Sequence, residues 1–134
     1  MSITKWYRWL PALVWMTVIF GLSHQTGSDL NSYLPWIQRW IPWLDSFDVG
    51  HFVTYFILAC LVWWAMDSPR LTVSFIVVLI CVLYGISDEY HQSFVPGRAP
   101  DLLDIRNDTI GAVLAMIVVR APFIRNRMFP RQIP

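Results

Sequence analysis

At 134 residues, with 56% of them hydrophobic, 14% charged and a mean hydropathy of +0.48, the chain departs from ordinary soluble domains and points to lipid as its solvent. This length suits one domain, and four short helices are about as much core as it can form. A formal charge of +1 carries no footprint of a nucleic-acid partner, and Cys60 and Cys81, both inside apolar runs, read as small buried hydrophobes rather than disulfide partners or metal ligands.

The first apolar segment runs from about Trp6 to Leu22, close to the roughly 17 to 25 residues of a spanning helix. Lys5 and Arg8 precede it in the manner of a signal peptide, but the stretch is tryptophan-rich and has no obvious small-residue cleavage site, so it reads as a retained anchor. From Asp29 to Leu44 the spacing of Leu30, Leu34, Ile37, Ile41 and Leu44 predicts helix lying at the lipid headgroups, with Trp36, Trp40 and Trp43 as interface anchors. Pro35 and Pro42 predict a kink or two pieces. This belt is either a plain anchor or the lipid-facing wall of a site.

The second segment, about Val49 to Met66, and the third, about Leu71 to Ile86, are each long enough to span. The fourth has only Ile110 to Val119 free of charge, so its helix is expected to begin near Leu102 and reach about Ala121, drawing Asp104, Asn107 and Asp108 into its first turns. The tail from Pro122 onward, with Arg125, Arg127 and Arg131, reads as a basic strip beside anionic headgroups. The expected fold is an all-α membrane protein of four transmembrane helices with an interfacial helical segment. Placing Lys5, Arg8, Arg70, Arg120, Arg125, Arg127 and Arg131 inside puts both termini in the cytoplasm and leaves only Arg39, Arg98 and Arg106 outside. The acids then gather at the outer face.

Helical spacing assembles them. Asp48, His51 and Tyr55 can share one face of the second helix; Tyr84, Asp88 and His91 share a face of the third if it continues past Ile86. On the fourth, Asp101, Asp104 and Asp108 share a face with Gly111, and Asn107 lies beside them; Gly111 and Ala115 form a small-xxx-small pair that admits a neighbouring helix. Pro96-Gly97 marks the turn that carries Arg98. Carboxylates gathered in low dielectric need protons, cations or a metal to compensate them. Three arrangements meet that need: a closed network in which Arg98 and Arg106 pair with the aspartates and His51 bonds a neighbouring acid, a binding or catalytic pocket, or a divalent metal site drawn from His51, His91, Asp88 and Asp104.

The run Asp88-Glu89-x-x-Gln92-x-Phe94-x-Pro96-Gly97-Arg98-x-x-Asp101-x-x-Asp104-x-x-Asn107-Asp108-x-x-Gly111 resembles the signature of the VanZ-like family. Ser23 after an apolar helix and Asp48-Val49-Gly50-His51-Phe52 with Tyr55 are similar to that family's other blocks, with Val49 where a lysine is common. The resemblance implies a small multi-pass protein of the bacterial cytoplasmic membrane and cell envelope, in a family named for a component of teicoplanin (glycopeptide) resistance. Its recurrent polar positions fall on His51, Asp88, Glu89, Gln92, Arg98, Asp101, Asp104 and Asn107.

Two function classes follow. One is a non-enzymatic protein that binds an amphiphile at the outer leaflet, Arg98 and Arg106 holding its anionic group and the tryptophan belt its apolar tail; membrane lipids, a lipid-linked envelope precursor or a lipoglycopeptide are the expected partners. The other is a hydrolase or transferase acting on a lipid-linked phosphate or envelope ester. There Asp88 or Glu89 would be the base, His51 or His91 an acid or metal ligand, Asp104 a further catalytic candidate, and Arg98 the stabiliser of negative charge. A proton-coupled transporter would need an oligomer of so small a chain.

Overall fold

Lys5 and Arg8 meet Asp67 at one end of the molecule, and Ser23 meets Asp88 at the other, so the successive apolar helices run antiparallel. The computed structural model describes residues 3–40, 42 and 48–128, and all regular structure among them is helical. A 3-10 segment, Ile3–Trp9, leads into α1 (Leu10–Ser23); α2 (Gly27–Gln38), α3 (Asp48–Met66), α4 (Leu71–Gln92), α5 (Leu102–Val119) and α6 (Pro122–Met128) follow. Ile41, Trp43 and Leu44 of the expected belt, the side chains of Leu30, Leu34 and Asp48, and Arg131 of the tail lie outside the described residues.

Two of the helices, over Val49–Met66 and Leu71–Gln92, are long and apolar enough to cross a membrane. α1 has 14 residues, about 21 Å of helix against a hydrocarbon core of roughly 30 Å. In α5 the charges of Asp104, Arg106 and Asp108 occupy the first turns, leaving only its second half apolar. The outward faces are nonetheless those of a protein solvated by hydrocarbon. Phe75, Leu79 and Leu83 of α4 are 56–68% exposed, and Leu13, Val14, Ile117 and Val118 face outward on α1 and α5. A soluble monomer rarely exposes so continuous an apolar surface.

Between apolar helices in lipid the hydrophobic effect is weak, so close packing and interhelical hydrogen bonds hold them together. The core is Tyr55, Leu58, Ala59, Val62 and Trp63 of α3 against Val77 and Cys81 of α4, Ala112, Ala115 and Met116 of α5, and Ala12 and Ile19 of α1. Gly111 lets α5 touch the backbone of α3: a Cβ there would overlap the Phe52 carbonyl and meet Phe56 N. The small-xxx-small expectation for Gly111 and Ala115 therefore describes a real helix contact. Trp15 Nε1 donates to Thr54 O at 2.9 Å and Tyr84 Oη to Met16 O at 2.6 Å, tying α1 to both neighbours. Cys60 and Cys81 are free thiols, Cys81 within the core.

The helix ends have local causes. Asp67, at φ 51°, takes the left-handed conformation that Asp tolerates better than most residues, stopping α3 two residues before Pro69. Thr26 caps α2, its Oγ1 accepting from Asp29 N at 3.2 Å while Asp29 Oδ2 accepts from Thr26 N. α2 contains Pro35 and ends at Gln38, short of the expected Leu44. The third apolar helix continues past Ile86 to Gln92 because the added polar side chains turn inward and find partners there.

Candidate functional site

The end of the bundle formed by the C-termini of α1 and α4 and the N-termini of α3 and α5 gathers the polar residues in two arms. Asp88 and Glu89 are adjacent, so their side chains leave α4 about 100° apart and reach different elements. Both are 3% exposed. Asp88 points to α1, where Ser23 Oγ donates to its Oδ2 at 2.7 Å. Gln92, one turn on and fully buried, donates through Nε2 to Asp88 Oδ2 and to Ser23 Oγ, each at 3.4 Å. Arg98 in turn donates to Gln92 Oε1. This arm is therefore Ser23, Asp88, Gln92 and Arg98.

The second arm begins at Glu89, whose Oε2 accepts from Asp101 N at 2.8 Å. Asp101 itself is exposed and caps α5, its Oδ1 accepting from Leu103 N at 2.7 Å. Its role is to start α5 and, through its own N–H, to hold Glu89 in place. From α3, His51 places Nδ1 3.2 Å from Asp108 Oδ1 and Nε2 3.7 Å from Asp104 Oδ2. Asp108 is completely buried, and its Oδ2 lies against Gly85, where even a methyl group would come within 2.8 Å. Gly85 is thus the space in α4 that Asp108 occupies.

The turn between α4 and α5 is set by Gly97, at φ 74°. Its backbone touches that of Gly27, where a Cβ would overlap the Gly97 carbonyl. That approach seats the start of α2 against the turn carrying Arg98. Ile37 of α2 then joins Ile19, Leu22, Ser23, Gly50, His51, Thr54, Tyr55, Asp88 and Arg98 around a cavity of about 270 Å³. Ile19, Leu22 and Ile37 supply apolar lining, and His51, Asp88 and Arg98 supply the ionisable groups. Asp88 Oδ1 and Tyr55 Oη are buried without a hydrogen-bond partner among the described residues, as are Glu89 Oε1 and Asp108 Oδ2.

Most of the polar residues singled out in the sequence meet at this end, in more than one role. His51, Asp88 and Arg98 line the cavity, Gln92 links Asp88 to Arg98, and Glu89 and Asp104 lie beside His51. Asp101 is a cap, and Asn107 accepts from Arg106 at 3.2 Å, apart from both arms. Of the expected closed network the His51–acid contact is present, at Asp108, but neither Arg98 nor Arg106 forms an ion pair with an aspartate among the described residues. His91 turns toward the end of α1 instead of joining His51 and Asp104: its Nε2 is 3.3 Å from His24 Nδ1, and its ring stacks on Phe20 at 4.2 Å. Asp88 bonds Ser23 instead. The atoms able to share an ion come from His51, Glu89 and Asp104, all within 4.8 Å of one another. Ile37 belongs to the belt expected as one wall of a site, whereas Ile19, Leu22, Ser23, Gly50 and Thr54 line the cavity without having been singled out for it. Ser23 had one signal, a hydroxyl closing an apolar helix.

The fold and site define a small helical membrane protein with apolar outer faces and a buried acidic, histidine-containing cluster at one end of the bundle. The VanZ/LLP1 family model matches residues 8–125, and the chain belongs to that family. It is also similar to the fission yeast (Schizosaccharomyces pombe) "Uncharacterized protein C11E3.10", 32% identical over 71 residues, which are 52% of this chain and 44% of the relative. The chain thus spans less than half of that relative. No solved structure matches.

Proposed function

We propose that the protein binds an amphiphile at the membrane surface, its anionic headgroup held at Arg98 and its apolar part lying along Ile19, Leu22 and Ile37. The observation that carries this reading is the composition of the cavity wall: largely apolar, with His51, Asp88 and Arg98 among its lining residues. Small-molecule sites have this character, mostly apolar with a few convergent polar groups. Trp36 and Trp40, near Ile37 in the chain, are exposed, as suits residues of the headgroup layer.

In this reading all four apolar helices cross the membrane. The 3-10 segment extends α1 to a combined length of about 35 Å, enough to reach across. Lys5, Arg8, Arg70, Arg120, Arg125 and Arg127 gather at the opposite end from the cluster, which favours cytoplasmic termini and a cluster facing the periplasm or exterior of a bacterial envelope. A phosphatase reporter fused to the C-terminus, active only outside, should be silent; activity there inverts the site.

A family with a fungal as well as a bacterial side favours a ligand class present in both, so a polyprenyl phosphate is the first ligand to try. Teicoplanin, with its fatty acyl chain, is the second, and its binding would connect the site to glycopeptide resistance. Purified protein in nanodiscs should retain a photoreactive polyprenyl phosphate or a fluorescent teicoplanin, and Arg98→Ala should weaken retention about tenfold, the scale of one charge-assisted hydrogen bond. Unchanged retention in Arg98→Ala overturns the binding mode. Turnover of the lipid phosphate, abolished by Asp104→Asn, would move the protein to the hydrolase or transferase class.

A further inference from the structure

The second arm of the polar cluster is arranged differently from the first. His51 comes from α3, Glu89 from α4 and Asp104 from α5, and one ligand-type atom from each lies within 4.8 Å of the other two. We propose that His51 Nε2, a Glu89 carboxylate oxygen and an Asp104 carboxylate oxygen bind one divalent transition-metal cation, Zn2+ or Mn2+.

Glu89 supplies the first argument. Its side chain is 3% exposed, its Oε2 is fixed by Asp101 N at 2.8 Å, and its Oε1 is buried with no hydrogen-bond partner among the described residues. A buried carboxylate oxygen left in that state carries the full desolvation penalty of an uncompensated polar group unless something positive meets it. The backbone anchor from Asp101 fixes the carboxylate's orientation before any ion arrives.

His51 supplies the second. Its Nδ1 lies 3.2 Å from Asp108 Oδ1, which assigns the ring proton to that bond and leaves the Nε2 lone pair facing Asp104. A histidine donating its far N–H to a buried carboxylate is the usual support for a metal-ligating imidazole. The 3.7 Å from Nε2 to Asp104 Oδ2 is too long for a hydrogen bond. It is close to the ~3.4 Å edge that two ligands about 2.0–2.2 Å from a tetrahedral ion would define. One imidazole with two carboxylates suits Zn2+ or Mn2+ better than Ca2+ or Mg2+, which favour all-oxygen shells. Asp108 serves as a positioning residue, tucked into the space at Gly85.

The test needs no amphiphile, so its outcome is independent of the cavity's ligand. Full-length protein in detergent is stripped with EDTA, dialysed against Zn2+ or Mn2+, and measured by elemental mass spectrometry and, for Mn2+, by pulsed electron paramagnetic resonance. Wild type should hold about one ion per chain and show nitrogen coupling from a coordinated imidazole. Glu89→Gln keeps an acceptor for Asp101 N and should lower affinity at least about tenfold, as should Asp108→Asn through His51. His91→Ala should leave binding intact. No ion in wild type, equal affinity in Glu89→Gln, or an ion lost only in His91→Ala and so held by the His24–His91 pair would each overturn the proposal. Should Glu89→Gln fail to fold, wild type decides alone: bound Mn2+ without nitrogen coupling overturns it.

Discussion

At the Asp67 end of the bundle one carboxylate meets two cations, whereas at the Asp88 end His51 meets two carboxylates, Asp104 and Asp108, with Asp88 and Glu89 buried at the same end. The first end is tied by opposite charges: Lys5 and Arg8 pair with Asp67, Arg8 also donates to Trp64 O and lies over the Trp64 ring at 4.6 Å, and Arg120 donates to Pro69 O at 3.1 Å, while Arg8 Nε stays buried without a hydrogen-bond partner among the described residues. Those contacts tie the 3-10 segment, the α3–α4 turn and the end of α5 together. The second end leaves four buried acceptor oxygens, of Asp88, Glu89, Tyr55 and Asp108, without partners among the described residues and encloses a cavity beside them. One molecule thus shows charge used as a clasp and charge held uncompensated. The second arrangement is worth its cost only where something else completes it.

The largest effect should come from the contact that holds the acidic end together. Gly111→Leu forces α5 away from the α3 backbone at Phe52 and should cost roughly 3 kcal/mol or more, seen as a collapse of the thermal midpoint in detergent. A normal midpoint would mean that the helices at this end are not packed backbone to backbone. Next is the clasp itself. Asp67→Ala leaves Lys5 and Arg8 unpaired, and because Arg8 is largely buried while Lys5 is exposed, the loss should fall at about 1–2 kcal/mol, between surface and buried pairs. A loss as large as that of Gly111→Leu would make the Asp67 end the principal source of stability.

The same clasp has a pH signature. Partial burial raises the Asp67 pKa, but the hydrogen bonds and charges of Lys5 and Arg8 outweigh it, and the carboxyl sits below its ordinary value. A carboxylate with a depressed folded pKa contributes stability fully above its unfolded pKa of about 3.9 and loses it as pH falls through the lower folded value. The gap in thermal midpoint between wild type and Asp67→Ala should therefore be constant at neutral pH and close only below about pH 4. A gap that closes nearer pH 6 would point to a group other than Asp67.

How much of this was legible in the sequence depends on what positions each residue. The starts of α3 and α5, the acid face of α5 and the Gly111 contact follow from helical periodicity and from the size of glycine, both local properties. The partners do not. Ser23 and Asp88 are 65 residues apart, and His51 and Asp108 are 57 apart, so only the packing of α1 on α4 and of α3 on α5 decides that they meet. Asp101 and Asp104 look equivalent along the sequence, but one lies outside the helix as its cap and the other inside it beside His51. His91 carries the right chemistry for a metal on the right helix, and a rotation of three residues from Asp88 is enough to deliver it to His24 and Phe20.

The smallest stability effect should come from the residue most important to the cavity, and that contrast is the sharpest test of the comparison. Asp88 accepts from Ser23 and Gln92 through Oδ2 alone, while Oδ1 is buried without a partner. Asp88→Asn keeps the volume and the acceptor for Ser23 and removes a charge from low dielectric. The lost attraction and the relieved desolvation should nearly cancel, leaving the thermal midpoint unchanged or raised, with less than about 1 kcal/mol lost. Retention of the anionic amphiphile should nonetheless rise about tenfold, because a negative charge facing the headgroup is gone. Asp67→Asn at the other end should do the reverse, lowering the midpoint and leaving retention alone. If Asp88→Asn instead cost as much as Asp67→Asn and left retention untouched, both ends would be clasps, and the cavity would be a packing defect between them.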